Sequence, residues 1–449
     1  MEDWLNPVKG TKDYFPEEQI VREYITDVLR SMFKLYGYKP IETSILDYWE
    51  AGANKYGGGE EILNETYRLK DRGNRDLILR YELTFKLAKL IAQKPNLRLP
   101  FKRYEIGKVF RDGPVKTGRL REFTQCDVDV VGSSSIKLDA EFMALAVDVF
   151  EKMGLDIIIQ INNKKLQFGL FEVSGIPKDQ FIPAALSLDK LVKFGREAVI
   201  REMMDKGIGE QSINRLFQML DQIEEHEDNE TRLSITEEYL KGSEMGRTGI
   251  TELIDMFKWA KVFGVSERLV YLPSLARGLG YYTGNVWEVY LKNPKKVTSS
   301  LGAGGRWDQM ISKFLGVDKE YPAVGCTFGL DVIYTAIKEE LGLSQMKTNI
   351  VCQEYQVPKV YIIPIRDDDR LWGYSIKVAQ ELRHAGISTE LAYDKKLNKG
   401  MNYANKEGIP FVVVVGDSEV ENEVVNLKDM KTGEEKQLNI NELISRLKE

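Results

Sequence analysis

Residues 101–132 read FKRYEIGKVFRDGPVKTGRLREFTQCDVDVVG. Two runs in this stretch, Lys102–Arg111 and Glu122–Val131, have the residue types of strands, and the loop Asp112–Gly118 between them contains glycine and proline. This pattern predicts an antiparallel hairpin with a long loop. Seven lysines and arginines stand in residues 101–121 against only two acids. An arginine in a cleft binds phosphate in a planar, bidentate manner, but a solvated basic hairpin accounts for the same charge pattern.

The second strand of the hairpin has a polar face and an apolar face, because successive side chains of a strand point to opposite sides. The polar face carries Gln125, Asp127 and Asp129. The apolar face carries Cys126, Val128 and Val130. If the polar face lines a pocket, its residues could hold an ammonium group and a polar side chain of a ligand. The alternative interpretation is a strand with one solvated face.

The sequence around the hairpin predicts one α/β domain. Upstream, apolar residues with helical spacing begin after Pro16, where a helix start is expected, and residues 38–46 are expected to form a strand at a sheet edge because they contain a proline. Further strands and helices are predicted on both sides of the hairpin, at residues 77–80, 83–93, 284–290 and 322–337. Residues 173–262 have helical periodicity and few strand signals, which predicts a helical insertion.

The pattern changes after the polar stretch Lys347–Gln356. Strand-like and helix-like runs then alternate, which predicts a separate α/β domain with a mainly parallel sheet. The expected domains are therefore residues 1–345, with the insertion at 173–262, and residues 356–449. A chain of 449 residues is expected to contain two or three domains.

The composition excludes several classes of protein. No apolar run approaches the ~20 residues of a membrane span, and the N-terminus lacks the apolar core of a signal peptide, so we expect a cytoplasmic protein. The three cysteines are far apart in the sequence, which predicts neither disulfides nor a zinc site. The two histidines, His226 and His384, are expected at the surface, so the chemistry should not need a histidine base. The net charge of −6 disfavours diffuse nucleic-acid binding but allows a local basic groove.

A second candidate site segment is Ala276–Gly284, with the sequence ARGLGYYTG. Arg277 stands among glycines, which let the backbone approach a ligand closely, and Tyr281 and Tyr282 follow. A simple turn before a strand is the alternative interpretation. The chain contains no G-x-x-x-x-G-K-[ST] sequence, so any nucleotide site would differ from a P-loop.

Taken together, six segments resemble the histidyl-tRNA synthetase family of class II aminoacyl-tRNA synthetases, in the family's order and over nearly the whole chain. They are the opening Gly10–Tyr14 with motif 1, the amino-acid-binding segment Leu79–Thr84, a motif 2 of archaeal and eukaryotic style at Phe110–Asp127, the R-G-L-x-Y-Y segment Arg277–Tyr282, the G-G-R-W-D segment Gly304–Asp308 and the tail Lys396–Gly416. The resemblance implies an antiparallel sheet flanked by helices, a helical insertion and a C-terminal α/β anticodon-binding domain.

The resemblance also implies roles for individual residues. Glu82, Thr84 and Gln125 would hold the α-amino end of L-histidine, and Asp129 and Tyr282, with Tyr281 beside them, would form the imidazole end. Arg111 would bind the α-phosphate of ATP, and Arg277 would approach that phosphate and the attacking carboxylate. Mg²⁺ would accompany ATP, but the sequence assigns it no ligands.

The implied reaction is ligation of L-histidine to tRNA(His) through a histidyl-adenylate, catalysed by a homodimer joined through motif 1. Such phosphoryl chemistry depends on positioning and on neutralising charge. We expect Lys116, near the tip of the hairpin loop, and Lys396, in the C-terminal domain, to contact the tRNA. A flexible, solvated loop is the alternative for Lys116.

Two positions depart from the family pattern. Val332 stands where motif 3 has an arginine that clamps ATP, and Gly280 stands where an aspartate is usual. A valine cannot replace a planar cation, although Arg306 or a lysine from elsewhere could substitute. The alternative function is therefore a catalytically silent paralogue that senses histidine or tRNA, such as a protein resembling the regulatory subunit of ATP phosphoribosyltransferase. The C-terminal domain and the retained site residues favour an active enzyme.

Overall fold

The computed structural model describes residues 5–50, 60–94, 96–115, 118–277, 281–342, 357–393 and 396–448. The chain forms two compact units, Met1–Leu343 and Ser344–Glu449. Within the described ranges, no helix is both long enough and apolar enough to cross a membrane.

The first unit contains eleven strands within its described residues. In chain order they are β1 Lys39–Pro40, β2 Leu46–Tyr48, β3 Arg68–Lys70, β4 Asp76–Leu79, β5 Phe101–Phe110, β6 Glu122–Val131, β7 Ile157–Asn163, β8 Leu269–Tyr271, β9 Asn285–Leu291, β10 Gly302–Arg306 and β11 Ala323–Gly329. Eight of them form one sheet in the order β1-β5-β6-β11-β10-β9-β7-β8, and β2-β4-β3 form a small second sheet. In the large sheet only the outermost pairs, β1 with β5 and β7 with β8, are parallel.

The helices of this unit lie between the strands in sequence. They are α1 Pro16–Leu35, α2 Glu60–Asn64, α3 Thr84–Gln93, α4 Lys137–Lys152, α5 Lys164–Ser174, α6 Phe181–Leu188, α7 Leu191–Phe194, α8 Arg196–Asp205, α9 Glu210–Glu224, α10 Asn229–Tyr239, α11 Glu244–Val262, α12 Met310–Leu315 and α13 Leu330–Ala336. Short 3₁₀ turns at Lys178–Gln180, Leu240–Gly242 and Ser266–Arg268 and a π-turn at Ile337–Leu341 complete the unit's regular structure within the described residues.

Helices α1 and α4 cover the apolar face of the large sheet. Phe328 of β11 lies between Phe33 of α1 and Phe150 of α4, with ring centroids 5.7 and 5.8 Å apart. Helix α1 turns its apolar residues inward as their spacing predicts, and Pro16 occupies its first position. The opposite face of β5, β6 and β11 is free of these helices and carries the polar residues.

The hairpin of β5 and β6 confirms the strands and the alternation predicted from residues 101–132. Directly opposite residues share a face, and the register pairs Arg103 with Asp129 and Glu105 with Asp127. The prediction for residues 38–46 is wrong in extent: only Lys39–Pro40 pairs with β5, and a separate strand begins at Leu46. The proline explains the short pairing, because it lacks the N–H that a continued ladder would require.

Residues 173–262 contain helices and no strand within the structure, as their periodicity predicts. Helix α11 returns from this region to pack closely on α5. The approach requires glycine, because a Cβ on Gly249 would stand 2.2 Å from the Leu166 backbone nitrogen and a Cβ on Gly169 would stand 2.4 Å from the Gly246 Cα. The glycines of α11 therefore fix the end of the helical region against the first helix after β7.

The second unit is a small α/β fold. Its strands are β12 Val360–Pro364, β13 Thr389–Leu391, β14 Phe411–Val415, β15 Val425–Asp429 and β16 Glu435–Leu438, and its helices are α14 Asp369–His384, α15 Leu397–Glu407, α16 Asp417–Glu421 and α17 Ile440–Lys448. The sheet order is β13-β12-β14-β15-β16. The expected mainly parallel sheet is only half correct, because β14, β15 and β16 pair antiparallel. The sequence of β16, EKQL, is mostly polar and has no alternating pattern, so it did not predict the hairpin that β15 and β16 form.

A buried carboxylate joins α13 to the chain's first helix and to the hairpin. Asp331 Oδ1 accepts hydrogen bonds from Arg22 Nη1 at 2.6 Å and from the Tyr14 hydroxyl at 2.8 Å. Its other oxygen accepts the backbone N–H of Thr124 at 2.8 Å. Because both members of the Arg22–Asp331 pair are buried, each depends on the other for its counter-charge.

We predict that Asp331→Asn destabilises the first unit by about 3 kcal/mol, because it leaves Arg22 as an uncompensated buried charge. Calorimetry should follow the first unit's thermal transition, since two units need not unfold together. Arg30→Gln is the matched control: it removes an exposed pair with Asp27 on the same helix and should change stability by less than about 1 kcal/mol. Equal losses in the two variants would contradict the assigned role of Asp331.

Candidate active site

A cavity of about 230 Å³ lies against the polar face of the large sheet. Its lining comes from the start of α3 and the residue two positions before it, from the β5–β6 hairpin, from the residues before β9, from β10 and its flanking residues, and from β11. The lining residues are Glu82, Thr84, Arg111, Gln125, Asp129, Arg277, Tyr281, Tyr282, Ser300, Leu301, Gly302, Ala303, Trp307, Gly325, Cys326, Thr327 and Gly329. The cavity therefore gathers residues that are up to 247 positions apart in the sequence.

One wall of the cavity is acidic. Glu82, which precedes α3, is almost completely buried, and this burial raises the pKa of its carboxyl group to about 7 despite the opposing charge of Arg111. The Tyr281 hydroxyl is hydrogen-bonded to the Glu82 carboxylate. A ligand that brings a positive charge to this wall would favour the ionised form of Glu82.

Strand β6 supplies the floor of the cavity. Its neighbour β11 places Gly329, Thr327 and Gly325 opposite Gln125, Asp127 and Asp129, and the Thr327 hydroxyl donates a hydrogen bond to Asp127 at 2.7 Å. Burial raises the pKa values of the Asp127 and Asp129 carboxyl groups, while the guanidinium of Arg103 opposes the rise. Gly325 is required because a Cβ there would stand 1.8 Å from Asp129 Oδ1.

Two arginines supply positive charge. The Arg111 guanidinium carbon lies 4.2 Å from the ring centroid of Tyr81 and 5.2 Å from that of Phe123, and its Nε donates to the Tyr81 carbonyl at 3.3 Å. Aromatic faces hold a guanidinium in place without neutralising its charge. Arg277 instead forms an ion pair with Glu288 on β9 and is hydrogen-bonded to Tyr282.

Several buried polar atoms of the lining residues have no hydrogen-bond partner within the described structure. They include Glu82 Oε1, Gln125 Oε1 and Arg277 Nε. Buried polar groups are nearly always hydrogen-bonded in native proteins, so three such atoms around one cavity indicate a site completed by a polar ligand. The acceptors are carboxylate and amide oxygens, and the donor is a guanidinium, so the ligand should carry both donors and anionic oxygens.

The structure brings together eight of the ten site residues predicted from the sequence, which are Glu82, Thr84, Arg111, Gln125, Asp129, Arg277, Tyr281 and Tyr282. Of the two tRNA-contact candidates, Lys116 lies outside the described residues. Lys396 belongs to the second unit, where it is exposed and precedes the first turn of α15. Both histidines are exposed, as expected.

The two departures from the family pattern have different outcomes. Gly280 lies outside the described residues. Val332 is buried on α13 beside Gly118 and Gly329 and does not line the cavity. The suggestion that Arg306 could replace the motif 3 arginine is wrong, because its Nε and Nη2 pair with Asp139 at 3.0 and 2.7 Å. Within the described residues, the cations that line the cavity are Arg111 and Arg277.

Sequence reasoning missed three residues that shape the floor: Trp307, Gly325 and Thr327. Trp307 belongs to the G-G-R-W-D segment, which assigns it no role, yet its indole is hydrogen-bonded to Asp129. The available signal for Gly325 was the sequence of β11, AVGCTFG, since glycine inside a strand marks a close approach of another group.

Comparisons with known proteins agree with this site and fold. The family description "Histidyl-tRNA synthetase" matches residues 10–333, and "Anticodon binding domain" matches residues 359–449. Histidine–tRNA ligase 1 of Bacillus anthracis is 43% identical over 96% of this chain and 97% of its own length. Histidine–tRNA ligase of Christiangramia forsetii is 36% identical over 98% of each chain.

Solved structures show the same architecture. The histidyl-tRNA synthetase of Nostoc sp. PCC 7120 has a TM-score of 0.76 and 27% identity, and the match covers 99% of this chain and 98% of that one. An ATP phosphoribosyltransferase regulatory subunit/histidyl-tRNA synthetase of Bacillus halodurans, at 19% identity and a TM-score of 0.71 over 91% of this chain and 97% of that one, shares the fold.

A largely antiparallel sheet with a polar ligand site on one face, in one chain with an anticodon-binding domain, defines a class II aminoacyl-tRNA synthetase. The matched segment covers most of the catalytic unit, and the relatives match the chain from end to end. The chain belongs to the histidyl-tRNA synthetase family.

We predict that the buried Glu82 makes the free energy of unfolding of the first unit depend on pH. Its pKa is about 7 in the folded protein and about 4.3 in an unfolded chain. The folded state therefore holds this proton more tightly, and the resulting stabilisation is complete below about pH 4 and disappears as the pH rises through about 7. Between about pH 4.5 and 8, the ligand-free wild type should lose about 3 kcal/mol relative to Glu82→Gln, which cannot titrate.

Thermal unfolding of the first unit across this pH range measures the difference. Glu230→Gln serves as the control, since Glu230 is an exposed carboxylate of α10, and this variant should follow the pH dependence of the wild type. A constant difference between wild type and Glu82→Gln would show that Glu82 does not titrate near neutrality.

Proposed function

We propose that this cavity activates L-histidine with ATP and that the enzyme then ligates the histidyl group to tRNA(His). The observation that carries the proposal is the meeting of buried, unpartnered carboxylate and amide oxygens with two arginines in one cavity. An amino acid supplies the ammonium group for the acidic wall, and its carboxylate and the phosphates of ATP supply anionic oxygens for the arginines. The family membership supports histidine as the amino acid.

In the proposed assignment, Glu82, Thr84 and Gln125 hold the α-ammonium group, while Asp129, Tyr281 and Tyr282 form the imidazole end of the site. Glu82 is suited to this role because an ammonium group beside it favours the ionised carboxylate. Asp129 lies on the same strand face as Gln125, two positions beyond Asp127. Residues of one strand, β6, would thus bind both ends of the amino acid.

The chemistry follows from charge and position. The carboxylate of histidine attacks the α-phosphorus of ATP, a new carbon–oxygen–phosphorus linkage forms, and pyrophosphate leaves. Both reactants are anions, so a cation must lie where they meet. Arg111 would bind the α-phosphate, and Arg277 would approach the phosphate and the attacking carboxylate. No acid–base residue is required for this step, which agrees with the exposed positions of both histidines.

Mg²⁺ is proposed to enter with ATP as part of the substrate. In the described residues, no group of three or more acidic, histidine or cysteine side chains is arranged to hold a metal ion. Mg²⁺ in nucleotide sites is often held by phosphates and water with only one or two carboxylates. The chain's donors therefore fit a nucleotide-borne ion better than a resident one.

The remaining assignments complete the proposal. Residues 1–345 form the catalytic domain, with an insertion at 173–262 and a motif 2 of archaeal and eukaryotic style, and residues 356–449 form the anticodon-binding domain. Lys396 contacts the tRNA from the second unit, and Lys116 contacts its acceptor end. The enzyme acts as a homodimer in the cytoplasm, where tRNA is charged.

Histidine-dependent ATP–pyrophosphate exchange tests the first step, and charging of tRNA(His) tests the second. We expect exchange in the wild type and none above background with Arg277→Ala, because the variant loses a cation at the reaction centre, which costs about 3 kcal/mol or more. Lys396→Ala should keep normal exchange and weaken charging only, through a higher KM for tRNA. Lys436→Ala, an exposed lysine of the same unit, should affect neither reaction.

The outcomes separate the two functions considered for this chain. Absence of exchange in the wild type at millimolar ATP, with histidine binding retained, would favour the catalytically silent sensor. Equal loss of exchange in Arg277→Ala and Lys396→Ala would refute the assigned division of labour between the two units.

A further inference from the structure

Arg103 is a fully buried arginine of β5 that lies directly opposite Asp129, on the same face of the sheet. Its Nη2 approaches Asp129 Oδ2 to 2.7 Å and its Nη1 lies 3.8 Å from Glu105 Oε2. None of its guanidinium nitrogens has the alignment of a hydrogen bond with another described atom. Arg103 therefore interacts with Asp129 as a close counter-charge, and it does not line the cavity itself.

Two further neighbours confine the Asp129 carboxylate. The Trp307 indole, which can only donate a hydrogen bond, is bonded to the Asp129 carboxylate. On β11, the absence of a side chain at Gly325 leaves the space that Asp129 Oδ1 occupies. The carboxylate is thus fixed between three neighbours, and its free side faces the cavity.

We propose that Arg103 is a positioning residue that holds the Asp129 carboxylate in place and negatively charged, so that this end of the site accepts an N–H of the imidazole. The proposal rests on the proposed function, in which Asp129 forms the imidazole end. It adds a residue outside the cavity that determines how the substrate side chain is recognised.

The charges around Asp129 make its ionisation depend on Arg103. The ionisable groups around Asp129 are Arg103 and Glu105 of β5, Asp127 of β6, Cys326 of β11, Tyr38 beyond α1, and Glu82 and Arg277 across the cavity. Most of these groups are acidic, and burial also raises the pKa of the Asp129 carboxyl, whereas the Arg103 guanidinium lowers it. Without that guanidinium, Asp129 would bind a proton near neutral pH. A protonated carboxyl attracts an imidazole N–H far less strongly than a carboxylate.

The test compares the full-length wild type with Arg103→Met and Arg103→Lys in histidine-dependent ATP–pyrophosphate exchange between about pH 6 and 8.5. At pH 7, Arg103→Met should raise the KM for histidine about tenfold, because the ionised fraction of Asp129 falls by about this factor once its pKa lies about one unit above the pH of the assay. This KM should fall back toward the wild-type value as the pH rises and Asp129 ionises. The KM for ATP and kcat should change by less than about threefold, because the reacting groups are unchanged.

Arg103→Lys should restore part of the histidine affinity, since lysine keeps the charge but lacks the planar guanidinium. Arg80→Met is the matched control: Arg80 is another buried arginine of the network and pairs with Glu105 at 3.1 Å. That variant should lose stability without the pH-dependent KM, because Arg80 has no ion pair with Asp129 in the described structure.

A pH-independent rise in the KM for histidine in both Arg103 variants, or a fall in kcat alone, would overturn the proposal and leave Arg103 a structural residue. If Arg103→Met does not fold, Arg103→Gln, which also removes the charge, decides: a pH profile of the KM identical to the wild type would contradict the proposal, and a profile displaced to higher pH would support it. Failure of the proposed function is a separate result, since the wild type itself would then show no exchange.

Discussion

The carboxylates buried in the cavity floor determine which residues can stand next to them. An ion that leaves water loses several kcal/mol of hydration, which only close counter-charges and hydrogen bonds restore. Asp129 has Arg103 and Trp307, and Asp127 has the Thr327 hydroxyl. The same network continues through Glu105 to the Thr43 hydroxyl and to Arg80. The floor of the cavity and the β1 edge of the large sheet therefore belong to one electrostatic network.

This constraint also determines which strand positions must be glycine. Gly325 leaves room for the Asp129 carboxylate, and Gly107 leaves room for the Arg80 guanidinium, because a Cβ there would stand 2.3 Å from Arg80 Nη2. A glycine inside a strand weakens the strand, so each is a loss in sheet stability that the charge network compensates. On the opposite face the same strands carry apolar residues such as Phe328, which pack beneath α1 and α4.

The sequence was informative where its signals are local. The hairpin of β5 and β6 has clear alternation and a loop with glycine and proline, so its strands and faces were predictable. The second unit's antiparallel end was not, because the polar residues of β16 carry no alternating pattern. Arg306 and Arg103 show that the sequence does not predict which carboxylate a buried arginine pairs with. Each looks like an available cation in the sequence, but their carboxylate partners, Asp139 and Asp129, are set by the register and packing of the strands and helices.

The motif resemblance gathered residues that no local pattern connects, since Glu82 and Arg277 are separated by most of the catalytic unit. It could not indicate how their charges are balanced. The structure adds that information for eight cavity residues, whereas the contacts of Lys116 depend on a segment outside the described ranges. The charge balance of the site residues therefore depends on neighbours that do not line this cavity, such as Arg103 and Glu288.

The two arginines of the cavity differ in a way that matters for the reaction between two anions. Arg277 shares its charge with Glu288, whereas Arg111 is held between the rings of Tyr81 and Phe123 and forms no salt bridge within the described structure. Ring faces fix the guanidinium but leave its charge available. Arg111 should therefore bind the more highly charged group, a phosphate, and Arg277 the weaker one, a carboxylate that must remain nucleophilic. An arginine without a partner at that second position would stabilise the attacking oxygen before it reacts and so raise the barrier.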